Sequence, residues 1–178
     1  MQRSKNVQTN ERGFTLTEML VTMIVAGVLA ALTTPSLVGL LNRNQVNEAQ
    51  RQVESALREA QRQAIRRGKK CRVRINTTTK TIFSPDDGCL LSQRDVGENT
   101  LVGGDKVSLK AQNPTMTIAF NHKGTTNSNA VIIIESSLSN TKKCVAIASR
   151  LGTVRTGIYT GDVGAGATFD RNKCNPTD

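Results

Sequence analysis

An uncharged apolar run from Met19 to Asn42 constrains the fold of this chain more than any other feature. As a helix that rises about 1.5 Å per residue, the run would be about 36 Å long, more than the roughly 30 Å hydrocarbon core of a bilayer. The run therefore predicts a membrane-spanning helix over residues 14–42. Glu18 lies near its start, and a carboxylate costs up to about 3 kcal/mol at the bilayer centre. Either Glu18 reaches the headgroups or it has a partner in the membrane.

The residues around the start of this run form a recognisable motif. Gly13, Phe14 and Glu18 precede it, and Pro35 lies within it, where it interrupts the helical hydrogen bonding. This spacing resembles the processing site of type IV pilins and pseudopilins. The resemblance implies that a prepilin peptidase cleaves between Gly13 and Phe14 and methylates the new terminus to N-methyl-Phe14. It also implies that Glu18 and Pro35 serve in filament assembly.

A cleavable secretory signal is the alternative interpretation of the same segment. Such a signal has a shorter apolar core of about 7–15 residues and a small-x-small cleavage site. The core here is longer, and Ala30-Ala31 fits that site poorly. The prepilin interpretation is therefore favoured.

Residues 1–13 are expected to be the leader that the peptidase removes. They contain three basic residues and one acidic residue, and short basic flanks stay in the cytoplasm. This predicts a single-pass protein of the cytoplasmic (inner) membrane with its N-terminus inside. Everything after residue 42 would then lie in the periplasm or on a cell-surface filament.

Residues 43–69 are predicted to continue the helix as an amphipathic segment. Glu54 and Arg58 have the spacing of an ion pair along one helix, and Gly68 is a suitable helix stop. The two segments would form one helix from Phe14 to about Arg67. Its apolar positions recur with helical spacing, and its basic residues line the opposite face. The apolar positions are Val46, Ala49, Val53, Ala56, Leu57, Ala60 and Ala64, and the basic ones are Arg51, Arg58, Arg62, Arg66 and Lys69.

Residues 70–178 change to short alternating runs separated by Gly, Asn and Asp turns, which is typical of antiparallel sheets. The segment 86–104 is expected to be an exposed polar loop, and the glycine-rich tail 161–178 shows little pattern. The fold class is therefore α+β, and the pilin resemblance implies a long N-terminal helix packed on a C-terminal β-sheet head. The expected strands cover residues 71–75, 79–84, 106–110, 115–120, 131–135, 143–149 and 153–159.

Within this head, the order of motifs is similar to the GspH/FimT group of minor pilins and minor pseudopilins. The similarity rests on Phe120-x-x-x-Gly124, the aliphatic run Val131–Ile134, and the segment from Gly152 to Gly157. It implies a minor structural subunit that primes or caps a type IV pilus or a type II secretion pseudopilus. The expected partners are prepilin peptidase, other major and minor pilins or pseudopilins through helix packing, and the inner membrane.

All four cysteines follow the uncharged run, and an even number in an exported domain predicts disulfides. Of the three possible pairings we favour Cys71–Cys89 with Cys144–Cys174, because each closes a local loop. Zinc is the alternative, but the chain has no C-x-x-C motif and a single histidine, His122.

No enzyme signature stands out. His122 lies in a polar turn, the glycines of residues 161–166 lack the lysine of a phosphate loop, and Asp86-Asp87-Gly88 has the composition of a turn. We predict no catalytic residues, no metal and no cofactor.

DNA uptake in natural transformation is the alternative function. The formal net charge is +10, and basic proteins bind duplex phosphates without sequence preference. DNA-binding relatives have a Gly-Arg-x-Arg motif where this chain has Gly152-Thr153-Val154-Arg155, so Arg155 alone matches. Arg150 is expected to compensate from the same strand face. The proposed double-stranded DNA contacts are Arg150, Arg155, Lys142 and Lys143, within a basic set that also contains Arg171 and Lys173.

Overall fold

A computed structural model describes residues 13–97, 107–137, 139–164 and 166–176, without the side chains of residues 32–38 and 139. All of the expected leader except Gly13 lies outside these residues. The chain divides into two compact units, residues 1–38 and 39–178.

The helix α1 runs from Leu16 to Arg67 and so joins the two predicted helical segments. Thr15 caps its start, since both its carbonyl and its Oγ1 accept from the amide of Glu18, at 3.1 and 3.3 Å. The helix ends in a Schellman motif around Gly68, whose φ is +62°. There Lys69 donates to the carbonyl of Ala64 and Gly68 to that of Ile65. The stop at Gly68 is therefore confirmed.

In the first unit, the described side chains of residues 13–31 are exposed. Among the described residues, no helix combines the length and the apolarity that crossing a membrane requires.

The second unit contains two antiparallel sheets. The first has the strand order β3-β2-β1-β5 and the second the order β4-β6-β7-β8-β9. A short 3₁₀ helix, Arg171–Lys173, precedes the last strand. The strands are β1 Cys71–Asn76, β2 Thr81–Phe83, β3 Arg94–Asp95, β4 Val107–Ala111, β5 Thr115–Phe120, β6 Ala130–Ser136, β7 Ser139–Ile147, β8 Val154–Tyr159 and β9 Cys174–Asn175.

One face of α1 packs on both sheets and forms the main core. All seven apolar positions that the sequence predicts from Val46 to Ala64 are buried there. They contact inward residues of the first sheet, such as Val73 and Phe120, and of the second, such as Ile132 and Val145. Burying one such Val, Ile or Phe side chain contributes about 1.5–3 kcal/mol.

The second sheet is buried on its other face as well. Strand β6 alternates between the main core and a second cluster that contains Val131, Ile133, Cys144 and Tyr159. The segment after β8 covers this cluster through Phe169, whose ring meets that of Tyr159 edge-on with centroids 6.3 Å apart. The tail that the sequence left without pattern is therefore a covering layer and supplies strand β9.

The expectation of an exposed loop over residues 86–104 is wrong for part of its described length. Val96 and Cys89 are buried, and β3 pairs with β2. Arg94 also forms an ion pair with Glu59 of α1, which is almost fully buried. Because this ion pair joins residues that are distant in sequence, local composition does not reveal it.

The structure pairs Cys71 with Cys89 and Cys144 with Cys174, which is the pairing that the sequence favours. The sequence separations are 18 and 30 residues, so each bridge contributes about 3–4 kcal/mol by chain entropy. The first bridge ties a loop beside α1 to β1, and the second ties the covering tail to β7.

Gly152 provides a test of this packing. Its φ is +67°, and a Cβ built there would lie 2.2 Å from the carbonyl oxygen of Gly124. We expect Gly152→Ala to destabilise the chain by at least about 3 kcal/mol, or roughly 10 °C in melting temperature. Gly68→Ala is the matched control, because Gly68 has φ +62° with nothing within 4 Å. It should cost about 1 kcal/mol. Equal losses in thermal denaturation would contradict the close approach at Gly152.

Candidate assembly terminus and basic sites

The residues of the expected processing motif lie at the start of α1. Gly13 and Phe14 precede the helix, and Phe14 is 72% exposed. Glu18 lies in the first helical turn, where a carboxylate interacts favourably with the helix dipole. Among the described residues no cation pairs with its carboxylate. The motif therefore presents an accessible junction and an acid that is available to a partner.

Pro35 lies within α1, whose backbone is helical on both sides of it. Its side chain is outside the described atoms, so its role in assembly stays a prediction.

The two lysines expected to contact DNA point to opposite faces of the second sheet. Lys143 lines a cavity with residues of α1, whereas its neighbour Lys142 lies near Asp162. The amides of Gly164 and Val163 lower the pKa of Asp162, and Lys142 and Lys173 lower it further. One ligand surface therefore cannot use both Lys142 and Lys143, because successive strand residues alternate faces.

The expectation that Arg150 shares a strand face with Arg155 is wrong. Arg150 lies in the turn between β7 and β8, with φ +72°, and its amide donates to the carbonyl of Thr126 at 2.6 Å. The side-chain amide of Gln61 donates to the carbonyls of Gly124 and Gly152 beside it, at 2.8 and 3.1 Å. Local bonds between Ala148 and residues 152 and 153 close this turn, so Arg150 lies outside both strands.

Arg155 instead shares a groove with Arg171. The groove has a volume of about 340 Å³ and lies between β7, β8 and the tail, where Asn172, Asn175 and Pro176 form part of its lining. The side chain of Asn129 holds Arg171 through a 3.0 Å hydrogen bond. No acidic side chain is among the described residues of the lining. Two guanidinium groups and two asparagines can bind an anion such as a phosphate.

The sequence shows Arg171 as one of several basic residues of the head. Nothing in its local pattern indicates that Arg171 and Arg155 line the same groove. The pairing arises because β9 joins β8 and the Cys144–Cys174 bridge holds the tail against β7. Contacts between segments so far apart in the sequence leave no trace in the local hydrophobic pattern.

A second basic surface follows the exposed side of α1. Arg51, Arg58, Arg62 and Arg66 are exposed at spacings that place them along one helical stripe. Arg58 forms the predicted ion pair with Glu54, at 2.7 Å. In the described part of the chain, the other three arginines have no acidic partner. We call these four residues the arginine stripe.

Two protein families match the sequence. A family described as the prokaryotic N-terminal methylation motif matches residues 8–34, and one described as type II transport protein GspH matches residues 49–152. The second match covers more than half of the chain and the greater part of the described head. A comparison with curated proteins finds no match.

Among solved structures, the fold is similar to that of the type IV minor pilin FimU of Pseudomonas aeruginosa strain PAO1. One crystal form has 14% identity and a TM-score of 0.51, over 65% of this chain and 90% of the pilin chain. A second crystal form has 13% identity and a TM-score of 0.49, over 62% and 90%. At this identity the first similarity shows the fold, and the expected helix-on-sheet architecture is confirmed.

Proposed function

The chain belongs to the type IV pilin-like GspH family, and from this premise we propose that it is a processed minor subunit that primes or caps a type IV pilus or a type II secretion pseudopilus. Members of this family are structural subunits and not enzymes. The observation that carries the proposal is the order of two features in one chain. A methylation motif opens α1, and a GspH-type head follows on the same helix.

Anchoring in the inner membrane is part of the proposal. It is supported by the absence of charge from Met19 to Asn42 and by the exposure of large apolar side chains along residues 14–29. Exposed apolar surface of this extent is usual where lipid or another protein covers it. We assign the N-terminus to the cytoplasm from its basic leader, and the head to the periplasm or the filament surface.

Assembly would use the free carboxylate of Glu18. Cleavage after Gly13 creates a positively charged amine on Phe14, four residues before this acid. A charge in a nonpolar filament core needs a partner, and the amine of a neighbouring subunit supplies one. The arginine stripe offers a second contact, to an acidic surface of a neighbouring subunit. Arginines four residues apart on a helix repel one another, and acidic groups of a neighbour would offset this repulsion.

If Glu18 pairs with this amine, the variant Glu18→Gln should affect assembly but not processing. The variant should be cleaved and methylated normally, yet its incorporation into sheared filaments should fall by at least about tenfold, since a buried charge loses its partner. Glu48→Gln is the control, because it removes an exposed acid from the same helix. Immunoblots of filament and membrane fractions measure both steps. Normal incorporation of Glu18→Gln would show that assembly does not depend on a pair between Glu18 and the amine of Phe14.

DNA binding for uptake is the second candidate function. The groove that contains Arg155 and Arg171, with no described acid in its lining, favours it. Contacts from this groove would reach backbone phosphates and would not depend on sequence. Non-specific binding of this kind has dissociation constants of about 10⁻⁴–10⁻⁶ M and weakens as salt rises.

A salt titration with the full chain in detergent tests this candidate. We expect the double variant Arg155→Gln, Arg171→Gln to weaken binding of duplex DNA and to lower the salt slope by about 2, one for each lost phosphate contact. Arg150→Gln should change neither quantity, because Arg150 lies outside the lining of the groove. If Arg150→Gln reduces binding as much as the double variant does, the groove is not the contact.

A further inference from the structure

A second basic cavity lies where α1 leaves the uncharged run. It has a volume of about 330 Å³, close to the lower limit for small-ligand pockets. Arg43, Val46 and Asn47 line it from α1, and Thr141 and Lys143 line it from β7. The cavity therefore lies wholly within the unit 39–178.

The lining has the chemistry of an oxyanion site. The guanidinium of Arg43, the ammonium of Lys143, the amide of Asn47 and the hydroxyl of Thr141 can all donate hydrogen bonds. No carboxylate is among the described lining residues, and within the described ranges neither Arg43 nor Lys143 has an acidic partner. Two cations that line one small cavity repel each other. An anion bound between them would attract both and offset this repulsion.

The position of the cavity along the chain indicates which anion it meets. Arg43 is the first charged residue after the run from Met19 to Asn42. If that run spans the membrane, as the proposed function holds, Arg43 lies at the level of the lipid headgroups. Basic side chains near the end of a membrane segment extend towards the headgroups, and guanidinium and ammonium groups make strong charge-assisted hydrogen bonds to phosphate.

We propose that this cavity binds a phosphate group and that an anionic phospholipid headgroup supplies it. The inference rests on the proposed membrane anchor. A bound headgroup would connect the start of the amphipathic part of α1 to β7 through one phosphate. It would thus hold the head at the membrane surface before the subunit enters a filament.

Native mass spectrometry of the full chain, released from detergent micelles that contain phosphatidylglycerol or phosphatidylcholine, tests the proposal. We expect preferential binding of phosphatidylglycerol. The double variant Arg43→Gln, Lys143→Gln should weaken it by roughly thirtyfold, about fivefold for each charge. The charge-preserving swap Arg43→Lys, Lys143→Arg should restore most of the binding and shows that loss of charge is the cause.

The matched control is Arg74→Gln with Lys142→Gln. It removes the same two charge types, and Lys142 adjoins Lys143 on the opposite face of β7. Equal weakening by control and test variants, or no weakening by either, would overturn the proposal. If inorganic phosphate displaced the lipid at similar concentrations, the lipid assignment would be overturned in favour of a soluble phosphate.

Alkaline extraction of cell membranes tests the underlying anchor separately. Release of the chain into the soluble fraction would contradict the proposed membrane segment and remove the reason to assign the phosphate to a lipid. Retention of the chain, together with unchanged lipid binding in the test variant, would overturn the cavity proposal alone.

Discussion

The close approach of α1 to two sheets is the interaction on which the rest of the head depends. Ala49, Ala56, Ala60 and Ala64 are at most 1% exposed, so small side chains line much of the interface. Small side chains let a helix backbone approach a sheet more closely than leucine would, and protein cores have few voids to absorb a larger group. The larger Val53 and Leu57 fill the remaining space between these alanines.

This proximity also explains how polar residues of α1 hold the sheets. Gln50 donates to the carbonyls of Cys144 and Gly157 at 2.9 and 3.2 Å, and Gln61 makes the equivalent pair of bonds to Gly124 and Gly152. Gln50 thereby bonds to the paired strands β7 and β8, and Gln61 bonds to two turns that are distant in sequence. Such part-buried bonds typically contribute about 1 kcal/mol each, and their larger effect is to fix geometry. The turn before β8 is closed by backbone bonds between Ala148 and residues 152 and 153, and Gln61 connects this turn to α1.

Local sequence pattern was sufficient wherever a structural feature depends on neighbours along the chain. The helical repeat from Val46 to Ala64, the stop at Gly68 and the alternation in β1 could all be predicted, because each reflects one buried face or one turn. Strands β3 and β9, and the groove that joins Arg155 to Arg171, could not be predicted. These features form only when segments that are distant in sequence pair with one another. A short stretch of sequence does not show which distant segment it will meet. Arg150 was expected on the strand face of Arg155 although the predicted strands end at residue 149 and resume at 153, and its positive φ of +72° places it in the turn between them.

The central claim is that this chain matures at Gly13 and enters a filament through the terminus that cleavage creates. Intact-mass and N-terminal analysis of the chain from cells with and without their prepilin peptidase tests it most directly. We expect an N-methylated Phe14 terminus in the presence of the enzyme and the intact leader in its absence. A mature terminus at or beyond Ala31, or the same terminus in both cells, would contradict it.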